Sequence, residues 1–222
     1  MVATNAIADV RSRYLSAQLA GDRRRALEIL RESSQANGLT ATQVQLEVIQ
    51  EAQREIGQLW QENRISIAQE HMATAISKLA LAQTFQAAPS AAPNGRRVLV
   101  ACVEGETHDL PPQIAADTLD LAGFEVRFLG ANVPTDSLLA MIDEVAPEVL
   151  ALSCTMVFNV PALAETVRRV RARPGARLPI LVGGYALGWL PKLATSVGAD
   201  GFGSDALALL AEARRVLGMG DV

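Results

Sequence analysis

Aromatic residues are scarce in this chain: two Trp, two Tyr and five Phe make 4% of 222 residues, while half the chain is hydrophobic. Its cores must therefore be built from Ala, Leu, Val and Ile. Cysteine is scarcer still. Cys102 and Cys154 each fall inside an apolar run, and no CxxC pair exists, so a disulfide framework or zinc site is not expected. There is no excess of positive charge. The net charge is −4 and the pI near 5.3, which argues against a nucleic-acid binder. The arginines at Arg23–Arg25 and Arg168–Arg173 read as solvated helix faces. No signal peptide and no long apolar run appears, so the expectation is a soluble, cytoplasmic chain that does not enter a membrane. Neither a Walker motif nor GxGxxG follows any strand, which removes the usual phosphate cradles. Histidine occurs twice, at His71 and His108.

The organising stretch is Arg97–Pro112. Val98–Val103 is a run of small and β-branched apolar residues, suited to a strand covered on both faces. Glu-Gly-Glu106-Thr-His108-Asp109 then forms a polar loop, and Pro111-Pro112 suits the first turn of a helix. His108 is thus placed just past the carboxyl end of a first parallel strand, where open α/β sheets hold ligands. Glu106, two residues earlier, can hold one ring nitrogen of His108 and leave the other to bind metal.

The helical pattern fills residues 5–86. Gly21-Asp22 separates the first two helices and Asn37-Gly38 ends the second. Thr40 starts a long third helix with Val44, Val48, Ala52, Ile56 and Leu59 in phase. Asn63-Arg64 interrupts, and a fourth helix carries Ala68, Met72, Ala75, Ile76 and Leu79 on one expected core stripe, with His71 at its border. The pattern predicts a four-helix bundle over 1–86. A proline-containing linker of small residues spans 87–96. Over 97–222, strands at 97–103, 124–128, 148–154, 179–183 and 200–203 alternate with helices at 111–122, 135–146, 160–172, 186–197 and 204–217. The fold class is α/β: a helical bundle followed by a Rossmann-like, five-stranded parallel sheet.

Three further constellations stand out. Trp60 ends the third helix, and after nine residues comes Glu70-His71. Ser153 and Thr155 stand at the end of the third strand, and Gly183-Gly184 at the end of the fourth. Read singly, these are also a core Trp with a surface Glu-His pair, a satisfied strand end and an ordinary turn. Read together with the His108 loop, the last two bring the number of groups at one edge of one sheet to three.

In that arrangement residues 97–217 resemble the cobalamin-binding Rossmann-like domain shared by methionine synthase, corrinoid methyl carriers and cobalamin photoreceptors. The family's Asp-x-His-x-x-Gly, Ser-x-Leu and Gly-Gly appear as Glu106-Thr-His108-Asp109-Leu-Pro111, Ser153-Cys-Thr155 and Gly183-Gly184, with both gaps matching. The N-terminal half is similar to the helical cap of the same proteins, and Trp60-x9-Glu70-His71 resembles the signature of CarH-type photoreceptors. The resemblance implies His108 as the lower axial ligand of cobalt, oriented by Glu106. It implies Ser153 and Thr155 along a slot for the cofactor's tail, Gly183 and Gly184 clearing room for it, and Trp60, Glu70 and His71 near the upper ligand. Pro111 replaces a glycine and Thr155 a leucine. Gln61 stands where the photoreceptors have a histidine after the Trp, so a light product held by two histidines is not expected.

What the resemblance implies about function is a light sensor that binds adenosylcobalamin between cap and sheet domain and is not itself an enzyme. A DNA-reading domain ahead of the bundle is not expected. A partner protein or a change in homo-oligomer would read out the signal. The layout also resembles the photocobilins, which implies a bilin such as biliverdin as a second chromophore, held without a covalent bond. The alternative is a corrinoid methyl carrier of a methyltransferase system.

Overall fold

The computed structural model describes residues 2–175, 177–188 and 192–220. It divides after Pro89 into two compact units.

The first unit is helical: α1 (Val2–Leu19), α2 (Arg23–Asn37), α3 (Ala41–Gln43), a π-helical stretch Val44–Gln50, α4 (Glu51–Gln61) and α5 (Ile67–Ala87). Local chemistry sets the ends. The Asp22 side chain caps α2, which stops at Gly38 in the left-handed conformation, φ 64°. Thr40 with Gln43, and Ser66 with Gln69, form reciprocal capping boxes at the starts of α3 and α5.

Two expectations are corrected here. The third helix is helical from Ala41 to Gln61 but not α throughout. The wider π turn lets the adjacent pairs Val44-Gln45 and Val48-Ile49 all lie buried on one side. On α5 the core stripe is Ala73, Ile76, Ser77, Ala80 and Leu81. Of the stripe read from sequence only Ile76 is buried, and Ala68, Met72, Ala75 and Leu79 are exposed. His71 is exposed as well, with 71% of its side chain accessible, instead of bordering the core. The cause is composition: α5 is apolar nearly all round, so apolar spacing fits two faces. The face taken inside is the one bearing Ser77, whose hydroxyl meets Tyr14, Gln18 and Gln53.

The second unit is a five-stranded parallel sheet in the order β2-β1-β3-β4-β5. The strands are β1 (Arg97–Cys102), β2 (Glu125–Phe128), β3 (Val149–Ser153), β4 (Ile180–Gly183) and β5 (Gly201–Gly203). Leu99, Ala101, Leu150, Leu152, Ile180 and Val182 share one core with Leu138 and Ile142 of α7 (Thr135–Val145) and with Leu163, Val167 and Val170 of α8 (Val160–Arg171). Strand side chains alternate, so Val98, Val100 and Cys102 point to the other face, where α6 (Leu110–Leu121) packs on α11 (Ala206–Val216). Burial of β1 on both faces is why its sequence is an unbroken apolar run. The helix expected over 186–197 is found as α9 (Tyr185–Gly188) and α10 (Leu193–Ser196), with 189–191 outside the described residues. Among the described residues no helix is long and apolar enough to cross a membrane.

Sheet order matters for function. β1 and β3 are neighbours, Cys102 opposite Ser153, but the chain leaves β1 toward β2 on one side and leaves β3 toward β4 on the other. Connections that part in this way open a crevice at the carboxyl ends of the two strands, the usual ligand position in such sheets.

Candidate functional site

The loop that follows β1 crosses this crevice. Gly105 takes φ +84° and donates its N–H to Asn132 Oδ1 at 2.8 Å, while the Asn132 N–H returns to the Glu106 carbonyl at 2.7 Å. A Cβ on Gly105 would lie 2.9 Å from Asn159 Oδ1, so glycine lets the two loops close on each other.

Glu106 sits in the middle of that closure with no exposed surface. Its Oε1 accepts from the His108 N–H at 3.0 Å and from His108 Nδ1 at 2.5 Å. Its Oε2 accepts from the N–H groups of Thr155 and Met156, both at 2.8 Å, and from Asn159 Nδ2 at 3.1 Å. One carboxylate therefore joins the loop after β1 to the loop after β3. Burial alone would push its pKa up. The bonds from His108, Met156 and Asn159 overcome this and hold it near 2.

An ionised carboxylate only accepts, so His108 Nδ1 is the donor, and Nε2 is the ring nitrogen that could ligate a metal. The ring is half exposed and its Nδ1 side is fixed by a buried group. This is the arrangement of a metal-binding histidine with its orienting carboxylate. Asp109 and Pro111 stand at the start of α6. Asp109 occupies the cap position without a side-chain cap bond, and Pro111 lies in the first turn, where its missing N–H costs nothing.

Ser153 is buried at the end of β3, level with Cys102 on one side and Gly183 on the other. Thr155 presents its N–H to Glu106, but its buried Oγ1 has no hydrogen-bond partner among the described residues. A buried hydroxyl without a partner is costly, and a polar ligand atom would satisfy it. Gly184 has φ +109°, and a Cβ there would lie 2.3 Å from the Cys154 carbonyl oxygen. Gly183 is less confined, with its nearest contact 3.1 Å away at the Gly203 carbonyl. Cys154 is buried and its thiol is pushed up to about 12 by burial and by the Glu106 charge, which leaves it unreactive. Val157, Phe158 and Tyr185 leave large apolar surface exposed just beyond β3 and β4. The residues at these strand ends fit a large, partly apolar ligand with a metal at His108.

The sequence reading missed Asn159. Ahead of Val160-Pro161 it reads as a helix cap, yet it makes no cap bond and turns its amide to Glu106. The N–H donors of Thr155 and Met156 carry no sequence signal at all.

In the helical unit, Glu70 holds His71 Nδ1 at 2.6 Å and accepts from the Thr74 hydroxyl at 2.7 Å. Thr74 is bonded to Gln53, and Gln53 to the buried Ser77, which meets Tyr14 and Gln18. The exposed imidazole thus ends a polar chain rooted in the bundle interior. Trp60, at the end of α4, keeps 44% of its surface exposed.

Residues 96–211 match the B12 binding domain, and residues 10–84 match a second B12 binding domain model. The chain belongs to the B12-binding domain family. Binding of a cobalamin-type corrinoid is the function that this membership supports. The HTH-type transcriptional repressor CarA of Myxococcus xanthus is 33% identical over 62% of this chain and 47% of its own length. Trimethylamine corrinoid protein 1 of Methanosarcina acetivorans is 30% identical over 54% of this chain and 55% of its own. The chain thus spans about half the length of these curated relatives. In fold it is similar to the Methanosarcina barkeri monomethylamine corrinoid protein, with TM-score 0.77 and 17% identity over 94% of this chain and 98% of that one.

The Glu106 carboxyl predicts a pH dependence. Its folded pKa is depressed, so the stabilisation is fully present above the ordinary value of 4.5 and is lost as pH falls from there toward 2. Urea unfolding of the apoprotein should show a loss of up to about 3 kcal/mol across that window, and Glu106→Gln should flatten it. A Glu106→Gln variant with the wild-type acid profile would show that another carboxyl is responsible.

Proposed function

We propose that the chain is a cobalamin-dependent light sensor. His108 would hold the cobalt through Nε2, steadied by Glu106. Ser153, Thr155, Gly183 and Gly184 line the slot for the cofactor's tail, with the unpartnered Thr155 hydroxyl donating there. Asp109 flanks the loop. Trp60, Glu70 and His71 of the helical unit are the further residues assigned to the cofactor. When bound, adenosylcobalamin supplies a cobalt–carbon bond that light can cleave. The observation that carries the sensor reading is the surface of α5: Ala68, Met72, Ala75 and Leu79 are exposed apolar groups on the helix that also carries an imidazole oriented by a carboxylate, and Trp60 is exposed at the end of α4. Such a face suits covering a flat ligand, and similarity to CarA, a transcriptional repressor, supports a regulatory use. A change in self-association or an effector protein would carry the signal onward. A bilin such as biliverdin remains part of the proposal as a second, non-covalent pigment.

The second reading is a methyl carrier for a methyltransferase, favoured by similarity to the trimethylamine corrinoid protein. Loading the purified protein with adenosylcobalamin in the dark, then recording absorption and elution volume before and after green light, separates the two. The sensor changes both. An unchanged elution volume, together with methyl transfer to or from an added corrinoid methyltransferase, would establish the carrier instead.

A further inference from the structure

The loop 155–159 is fastened at both ends to a single carboxylate. The N–H groups of Thr155 and Met156 bind Glu106 Oε2 at its start, and Asn159 Nδ2 binds the same oxygen at its end. Asn159 is buried, with 6% of its surface exposed. It stands at the cap position of α8 and gives up the cap bond it could make there. Ser153 is not among the five donors that Glu106 receives. Among the described residues, Asn159 is the only side-chain donor to Glu106 beside His108.

We propose that Asn159 is a positioning residue for His108, acting through Glu106. This deepens the reading of His108 as the cobalt ligand and rests on it. The two oxygens of Glu106 divide the work. Oε2 is saturated by Asn159 and two backbone amides, which fixes the rotation of the carboxylate. Oε1 is thereby aimed at His108 Nδ1, which holds the ring in the Nδ1–H tautomer with Nε2 as the ligating atom. With Asn159 gone, Oε2 keeps its two backbone amides but loses the side-chain bond that sets the carboxylate plane, and the ring is released to exchange tautomers.

The test uses the full chain and two readouts. In the apoprotein, nitrogen–proton NMR of labelled histidine reports the tautomer, with His108→Ala assigning the signal. Wild type should show a single Nδ1–H form, and Asn159→Ala a mixture of both. Asn159→Leu keeps the size and removes the donor, so it serves if the alanine variant does not fold, and it should also show the mixture. In protein loaded with cob(II)alamin, EPR with heavy-nitrogen histidine reads the histidine bonded to cobalt. Asn159→Ala should lower the ratio of histidine-on to histidine-off cobalt about tenfold, the usual scale for an outer partner of a metal ligand. Wild-type tautomer and wild-type cobalt splitting in a folded Asn159 variant, with both lost in His108→Ala, would overturn the proposal. If His108→Ala keeps the histidine splitting, the ligand reading fails, and the apoprotein NMR still decides whether Asn159 governs the ring.

Discussion

Glu106→Ala should lower the stability of the apoprotein by about 4 kcal/mol, from the desolvation penalty of buried donors left without an acceptor. The change strands the N–H groups of Thr155 and Met156, the Asn159 amide and the His108 N–H. Each such group costs about 1–3 kcal/mol when left unpaired, and a water entering the space of the carboxylate would restore part of the loss. His108 Nδ1 is excluded from this sum because the half-exposed ring can reach solvent. Glu106→Asp should fall between, at about 2 kcal/mol, because the shorter chain cannot serve both His108 and the loop after β3. The order Ala, then Asp, then wild type in urea midpoints is the expected result. Equal stability of Glu106→Ala and wild type would mean that the two loops hold together without their common acceptor. The same variants bear on ligation. Glu106→Asp, whose carboxylate is freed from the loop after β3, should loosen His108 together with the loop, so corrinoid binding should fall in the same order as stability.

How far the sequence reveals this site differs from residue to residue. β1 is legible because burial on both faces leaves only apolar residues between Val98 and Val103. The pairing of Glu106 with His108 is legible because it lies within one loop, and the structure gives the bond at 2.5 Å. The other half of the Glu106 environment is not legible. Thr155 and Met156 act through backbone N–H groups, which every residue except proline has, so their identity says nothing. Asn159 misleads, since an Asn ahead of Val-Pro is the ordinary spelling of a helix start. In the helical unit the difficulty is surplus signal. α5 offers two apolar faces, and only the partners of Ser77, which lie on α1 and α4, decide between them. The face that reading assigned to the core is thereby left outside, next to His71. Its exposure is what the proposed role in covering a ligand rests on. The π turn at Val44–Gln50 is likewise a consequence of burying adjacent residues, which no helical spacing rule anticipates.

Gly184→Ala should be about as damaging as Glu106→Ala, by a route that involves no ligand. At φ +109° an L side chain is strained by about 1–3 kcal/mol. Its Cβ would also lie 2.3 Å from the Cys154 oxygen and 2.6 Å from its carbonyl carbon. These are backbone atoms of the segment leaving β3, and the Cys154 N–H is itself bonded to the Gly183 carbonyl at 2.9 Å. Neither side can step back without parting β3 from β4, which adds about another 1–3 kcal/mol of overpacking. A combined loss of about 4 kcal/mol is a large share of the 5–15 kcal/mol typical of a domain, and it should lower the melting temperature by roughly 10 °C. Gly183→Ala is the control. Its Cβ meets one carbonyl oxygen at 3.1 Å with φ in the ordinary range, so its cost should stay near 1 kcal/mol. Both variants are to be measured without cofactor. If Gly184→Ala proves as stable as wild type in the apoprotein and fails only when corrinoid is added, then glycine is required there by the ligand. The expected outcome assigns the two glycines different duties: Gly184 closes the ends of β3 and β4 on each other, and Gly183, the more tolerant of the two, is where a bulkier residue would report on the slot itself.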